Sequence, residues 1–122
     1  MNKRNVMIWG RNFDLPINYK ILNDGSMTKM QTKAIETLLS NEDIFDEIKK
    51  SVDEYVVNNS DGLDSVDNIF KYVIPKCFYI PGDESGSIVG LMCNFKFDME
   101  HGLAIMFENG KMKKIGSQDI ML

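Results

Sequence analysis

TKMQTKAIETLLSNEDIFDEIKKSVDEYVVNN, residues 28–59, holds two successive helical patterns, and what flanks it on either side makes the chain an α+β domain. Thr28-Lys29-Met30-Gln31 is a capping box: the threonine hydroxyl accepts from the third helical N–H while the glutamine side chain reaches back to the cap. The spacing predicts a helix from about Thr28 to Leu39 that buries Met30, Ala34, Ile35 and Leu38. Ser40-Asn41 interrupts it and offers a new N-cap, with Glu42 and Asp43 expected in the next first turn, where negative charge meets the positive end of the helix dipole. A second helix is expected from about Asn41 to Asn58. At roughly 100° per residue, Ile44, Phe45, Ile48, Val52, Tyr55 and Val56 fall on one side of it. Glu42, Asp43, Asp46, Glu47, Asp53 and Glu54 fall on the other.

Strand patterns lie outward from this pair in both directions. Asn5 to Trp9 and Phe13 to Tyr19 are β-rich runs joined by Gly10-Arg11-Asn12, as in a hairpin, and Pro16 marks the second run as an edge strand or a bulge. A short helix is expected around Asp67 to Tyr72. Strands then follow at Lys76 to Ile80, Ile88 to Phe97, Gly102 to Phe107 and Lys111 to Ile115, with a short terminal one at Asp119 to Leu122. Pro81 to Gly86 is a turn cluster. Asn109-Gly110 is a strong hairpin signal, because a two-residue type I′ turn requires positive φ at both positions. In that register Glu108 faces Lys111. The expectation is one domain, residues 1–122, with an antiparallel sheet of about five or six strands packed on one side by the two helices.

The chain's length suits a single core. Its longest apolar run, Ile88 to Cys93, is far shorter than a membrane crossing, and the opening MNKRNVMIWGRN lacks the apolar stretch and cleavage site of a secretory signal. Cys77 and Cys93 show no framework spacing and read as reduced thiols in a cytoplasmic protein; a disulfide would require them to face each other on adjacent strands. Nine methionines suit an adaptable core. Charge is unevenly spread: +3 over residues 1–40, −7 over residues 41–67 and zero beyond, which together make the net −4. A protein built to hold a phosphate backbone shows the opposite bias, so direct nucleic-acid binding is not expected.

FDMEHGLAIMFENG, residues 97–110, sets the only histidine between acids and a glycine. A zinc site there would draw on Cys77, Cys93, His101 and Asp98 or Glu100, whose spacing matches no metal motif. Ser85 and Ser87 flank Gly86 without forming a nucleophile elbow, and no phosphate-cradling glycine loop occurs. The helix carboxylates lie along an exposed face that implies no apolar pocket to raise a pKa. Asp98 to Gly102 therefore reads as a polar turn between strands, with no catalytic residue, metal or cofactor expected. A small-molecule or enzymatic alternative would need a pocket between sheet and helices lined by Trp9, Tyr19, Tyr72, Tyr79 and His101.

Phe70 to Lys76, Asp98 to Ile105, Asn109-Gly110 and Ile115 to Ile120 together resemble a family of small bacterial domains of unknown function. Ile8-Trp9-Gly10-Arg11, Phe13 to Tyr19 and Gln31 to Leu39 are similar to that family's strand-strand-helix opening. Members of this kind are found as immunity proteins beside polymorphic or contact-dependent growth inhibition toxins. The resemblance thus implies a cognate protein toxin domain as partner, and supplies no catalytic residues. Separately, the acidic side of the second helix reads either as a solvated face, partly neutralised by Lys49 and Lys50, or, extended by Asp61, Asp64 and Asp67, as a docking face for a basic partner, a nuclease being the toxin it would suit. The expected protein is a non-catalytic cytoplasmic toxin inhibitor, without membrane attachment, monomeric or weakly homo-oligomeric. An interaction module or homo-oligomer working through an exposed strand edge is a further class.

Overall fold

A two-residue turn at Trp9-Gly10, with φ of 51° and 82°, closes the first hairpin between β1 (Lys3–Ile8) and β2 (Arg11–Tyr19). The computed structural model describes residues 3–22, 24–82 and 87–122. Helices α1 (Lys29–Leu39) and α2 (Ile44–Asn58) follow, then a single 3₁₀ turn at Ile69–Lys71. Strands β3 (Val73–Ile80), β4 (Ile88–Phe95), β5 (Leu103–Glu108) and β6 (Lys111–Gly116) complete a six-stranded sheet in sequential order. This is an α+β fold. All neighbours are antiparallel except β2 and β3, which pair in parallel from Ile17–Phe78 to Tyr19–Ile80. Parallel neighbours cannot be joined by a hairpin, so the chain crosses over between them, and α1 and α2 are that crossover.

Both helices pack on one face of the sheet. Val89, Leu91, Cys93 and Phe95 of β4 and Leu103, Ile105 and Phe107 of β5 alternate inward against Ala34, Ile35, Leu38, Phe45, Ile48 and Val52. The opposite face carries a smaller cluster, Ile88, Ala104 and Met121 with Tyr79, Met92 and Met106, capped by a closing 3₁₀ turn at Gln118–Met121. Gly90 makes this cap possible, since a Cβ there would lie 2.7 Å from the Met121 side chain. Among the described residues no helix is long and apolar enough to cross a membrane.

Several expectations change at this level. The first hairpin turns at Trp9-Gly10, one step before Gly10-Arg11-Asn12, because strands with a right-handed twist favour a two-residue primed turn. Strand β2 is interior. Pro16 is tolerated because it stands opposite Lys3 and one residue ahead of the first parallel pair, where neither neighbour needs its missing N–H. Gln31 takes the buried position assigned to Met30, which is 46% exposed. Helix α2 starts at Ile44. Asn41 instead forms an Asx turn, its Oδ1 accepting from Asp43 N–H at 3.1 Å, so Glu42 and Asp43 precede the helix and Asp46 and Glu47 occupy its first turn. The chain ends in a 3₁₀ turn where a strand was expected. Glu108 opposes Lys111 in register, but its carboxylate reaches Lys113 at 3.5 Å across a bulge. Residues 83–86, most of the expected turn cluster, lie outside the described residues.

Cys77 and Cys93 are free thiols. A bulge between Pro75 and Cys77 inverts the alternation of β3, putting Cys77 opposite Met92 on the capped face while Cys93 points into the helix-side core. Adjacent strands thus aim the sulfurs at opposite faces. Complete burial pushes the Cys93 thiol well above its ordinary value, which leaves it protonated and unreactive.

Candidate functional site

The acidic side of α2 is held rigidly because its other side is anchored along its length. Ile44, Phe45, Ile48, Val52 and Val56 are buried. Phe45 meets Phe107 edge to face at 6.0 Å, and Tyr55 packs on Phe95 at 5.8 Å. Trp9 Nε1 donates to the Phe45 carbonyl at 2.9 Å and ties the first hairpin to the first turn of the helix.

The six candidate carboxylates do not form one patch. Glu42, Asp43, Asp46, Glu47 and Glu54 are exposed, and none of the five is in an ion pair among the described residues. The Asp43 side chain makes no capping hydrogen bond, so it too is unengaged. Asp53 is different: Lys49 donates to its Oδ2 at 2.9 Å, and its Oδ1 is buried with no partner among the described residues. It is the weakest candidate, since its charge is already answered within the helix. Glu42, Asp43 and Asp46 line a groove of about 510 Å³ whose other wall is strand β1, with Val6, Leu39 and Phe45 among the lining. Asp53 and Glu54 border a more open cleft at the far end of the helix, shared with Lys50, Asp64 and Val66. Asp67, offered as an extension of the face, is engaged by Lys71 at 2.8 Å, and that hydrogen bond holds its carboxyl below the usual range.

Strand β1 carries none of the sequence-predicted site residues. Its place beside the acids depends on strand order, and no local signal in KRNVMI places it at the rim.

A family model spans residues 2–122 of the chain, and its description is a domain of unknown function, DUF6985. The chain belongs to the DUF6985 family. No curated protein and no solved structure matches it. Family membership assigns the domain no chemistry.

In this DUF6985 domain, residues 98–102 form a turn, as the polar run ending in glycine implied. Asp98 Oδ1 accepts from His101 N–H at 3.1 Å, and Gly102 N–H donates to Asp98 O at 2.8 Å. The imidazole stands at the surface with Nδ1 3.1 Å from Asp98 Oδ1. The aromatics of the pocket alternative do not converge on it. Tyr19 donates to Gly25 O, Tyr72 stacks on Phe97, Tyr79 belongs to the capped face, and Trp9 is at the first hairpin. Among the described residues no three His, Cys, Asp or Glu side chains group so as to hold a metal ion.

The hydrogen bond to Asp98 raises the His101 pKa above 6.5, and the histidine N–H lowers that of Asp98. A raised histidine value stabilises the fold fully below its unfolded pKa, and that contribution disappears as pH rises through the folded one. NMR titration of the imidazole should give a midpoint above 6.5, returning toward 6.5 in Asp98→Asn, which keeps the acceptor for the His101 N–H and removes the charge. An identical midpoint in the two proteins would show that Asp98 does not act on the ring.

Proposed function

We propose that this domain is a non-catalytic binding protein that neutralises a cognate toxin domain in the cytoplasm, a nuclease being the toxin class that suits it. The observation that carries the reading is the set of five exposed carboxylates, in no ion pair among the described residues, on and just before a helix whose opposite side is locked into the core. Nucleases are basic where they hold phosphates, so an acidic rigid face can compete for that surface. The same charge accelerates encounter, an effect that salt screens. Resemblance to small bacterial domains of unknown function, members of which are found as immunity proteins, supports the same partner class. Glu42, Asp43, Asp46, Glu47 and Glu54 would make the contact, with Asp53 contributing least. The protein would act as a monomer or weak homo-oligomer.

The reading expects a toxin domain encoded beside the gene, and the test uses that domain. Co-expression should protect cells and the two proteins should co-purify. Reversing charge with Asp46→Lys and Glu47→Lys should slow association about tenfold at low salt and flatten its salt dependence. Association and salt dependence that stay unchanged would reduce the helix to a solvated face.

A further inference from the structure

We infer that the free edge of β1 is an acceptor for an added strand, and that its occupant is an extended, Lys- or Arg-bearing segment of a partner protein seated between β1 and the start of α2. A two-residue turn makes its flanking residues, Ile8 and Arg11, a hydrogen-bonded pair, and alternation then makes Val6–Phe13 and Arg4–Leu15 hydrogen-bonded pairs as well. Asn5 and Met7 fall between them. Their N–H and C=O groups point away from β2, toward the side of the sheet where no strand follows among the described residues.

The sheet's two edges are built differently. At the far edge, β6 carries Lys111, Lys113 and Lys114 and a bulge against β5, features that discourage strand addition. The register of β1 is unbroken from Lys3 to Ile8, and Met7 is 53% exposed beside the groove. An added strand would point alternate side chains the same way as Arg4, Val6 and Ile8, toward the groove. There the partly exposed Leu39 and Val6 can lie along an aliphatic stem while Glu42, Asp43 and Asp46 meet the charged head. Arg4, the cation lining the groove, is already engaged by Glu36. Charge therefore selects a basic strand. It also disfavours a two-fold pairing of β1 with β1 of a second copy, which would bring two identical acidic lips together.

The inference depends on the toxin-binding reading only for the partner's identity, and it is tested without the toxin. Amide exchange is followed in the labelled protein with a nonapeptide of alternating Lys and Thr, which puts every lysine on one face, and with its Glu–Thr counterpart. Saturation with the Lys–Thr peptide should slow exchange at Asn5 and Met7 at least tenfold, with no change from the Glu–Thr peptide. Met7→Pro removes one outward N–H while sparing the bonds to β2, and should weaken the peptide about tenfold or more. Exchange at Asn5 and Met7 in the unmodified protein decides the question even if that variant folds poorly. Protection elsewhere, equal effects from both peptides, or self-association through these residues in place of peptide binding would overturn the edge as a basic-strand acceptor. A toxin domain bound in a charge-sensitive way without protection of Asn5 and Met7 would sink the strand-addition mode and leave the proposed function standing.

Discussion

Replacing Gln31 with methionine is expected to lower the unfolding free energy by about 3 kcal/mol and the melting temperature by roughly 10 °C. Gln31 is 1% exposed, the one buried polar residue among the described residues. Its Oε1 accepts from Thr28 N–H at 3.0 Å, and its Nε2 donates to Lys20 O at 2.8 Å and to Pro81 O at 3.2 Å. Those carbonyls follow the ends of β2 and β3, where Lys20 N–H still reaches Ile80 O at 2.9 Å. One side chain thus caps α1 and closes the parallel seam between β2 and β3. Methionine has nearly the same volume, so the substitution isolates the polar loss and opens little cavity. Three backbone groups lose their partner, each costing about 1–3 kcal/mol if fully cut off from water. The exposed Lys20 lets part of that cost be recovered by hydration, which brings the sum to the value above. Gln31→Glu adds a diagnostic. Its carboxylate would keep an acceptor for Thr28 but turn an oxygen toward two carbonyls, so burial and repulsion should raise its folded pKa above the unfolded one. Stability would then recover as pH falls through that raised value, the reverse of an ordinary paired acid. Chemical denaturation of the three proteins checks this. A methionine variant within about 0.5 kcal/mol of the parent would show that the bonds of Gln31 are replaced by water.

Gln31 also marks where sequence reading stops. The capping box was visible in Thr28 and Gln31 because it is local, four residues fixing two hydrogen bonds. That the same glutamine, and not Met30, enters the core was not visible, because the carbonyls it satisfies lie just beyond β2 and β3, outside the helix and its local pattern. The stripe of Ile44, Phe45, Ile48, Val52 and Val56 and the Asn109-Gly110 turn were readable for the same local reason. The parallel pairing of β2 with β3 was not, since no residue in either strand encodes its neighbour's direction. At the candidate site the carboxylates could be named one by one, but their division between two clefts, the withdrawal of Asp53 onto Lys49 and the presence of β1 opposite Glu42 all depend on tertiary placement.

Gly102→Ala should destabilise the protein by about 3 kcal/mol, while His101→Ala next to it should leave the melting temperature nearly unchanged. Gly102 has a φ of +64°, a conformation that costs an L side chain about 1–2 kcal/mol. A Cβ there would also lie 2.5 Å from Gln118 Nε2 and 2.8 Å from Cys93 O. The first of these atoms can move and the second, in the middle of the sheet, cannot. Moving Gln118 breaks its 3.0 Å donation to Cys93 O and loosens the closing turn, which is also held by Gln118 N–H donating to His101 O at 3.0 Å. A double-mutant cycle separates the contributions. In a Gln118→Ala background the cost of Gly102→Ala should shrink, because the displaced amide is gone, yet it should not vanish, because the φ and the Cys93 carbonyl remain. Equal costs in both backgrounds would place the whole penalty in the backbone, and a harmless Gly102→Ala substitution would mean that the turn relaxes away from β4. A larger loss from His101→Ala than from Gly102→Ala would reverse the assignment of this segment, making the imidazole, and not the turn that presents it, the reason for the run Asp98 to Gly102.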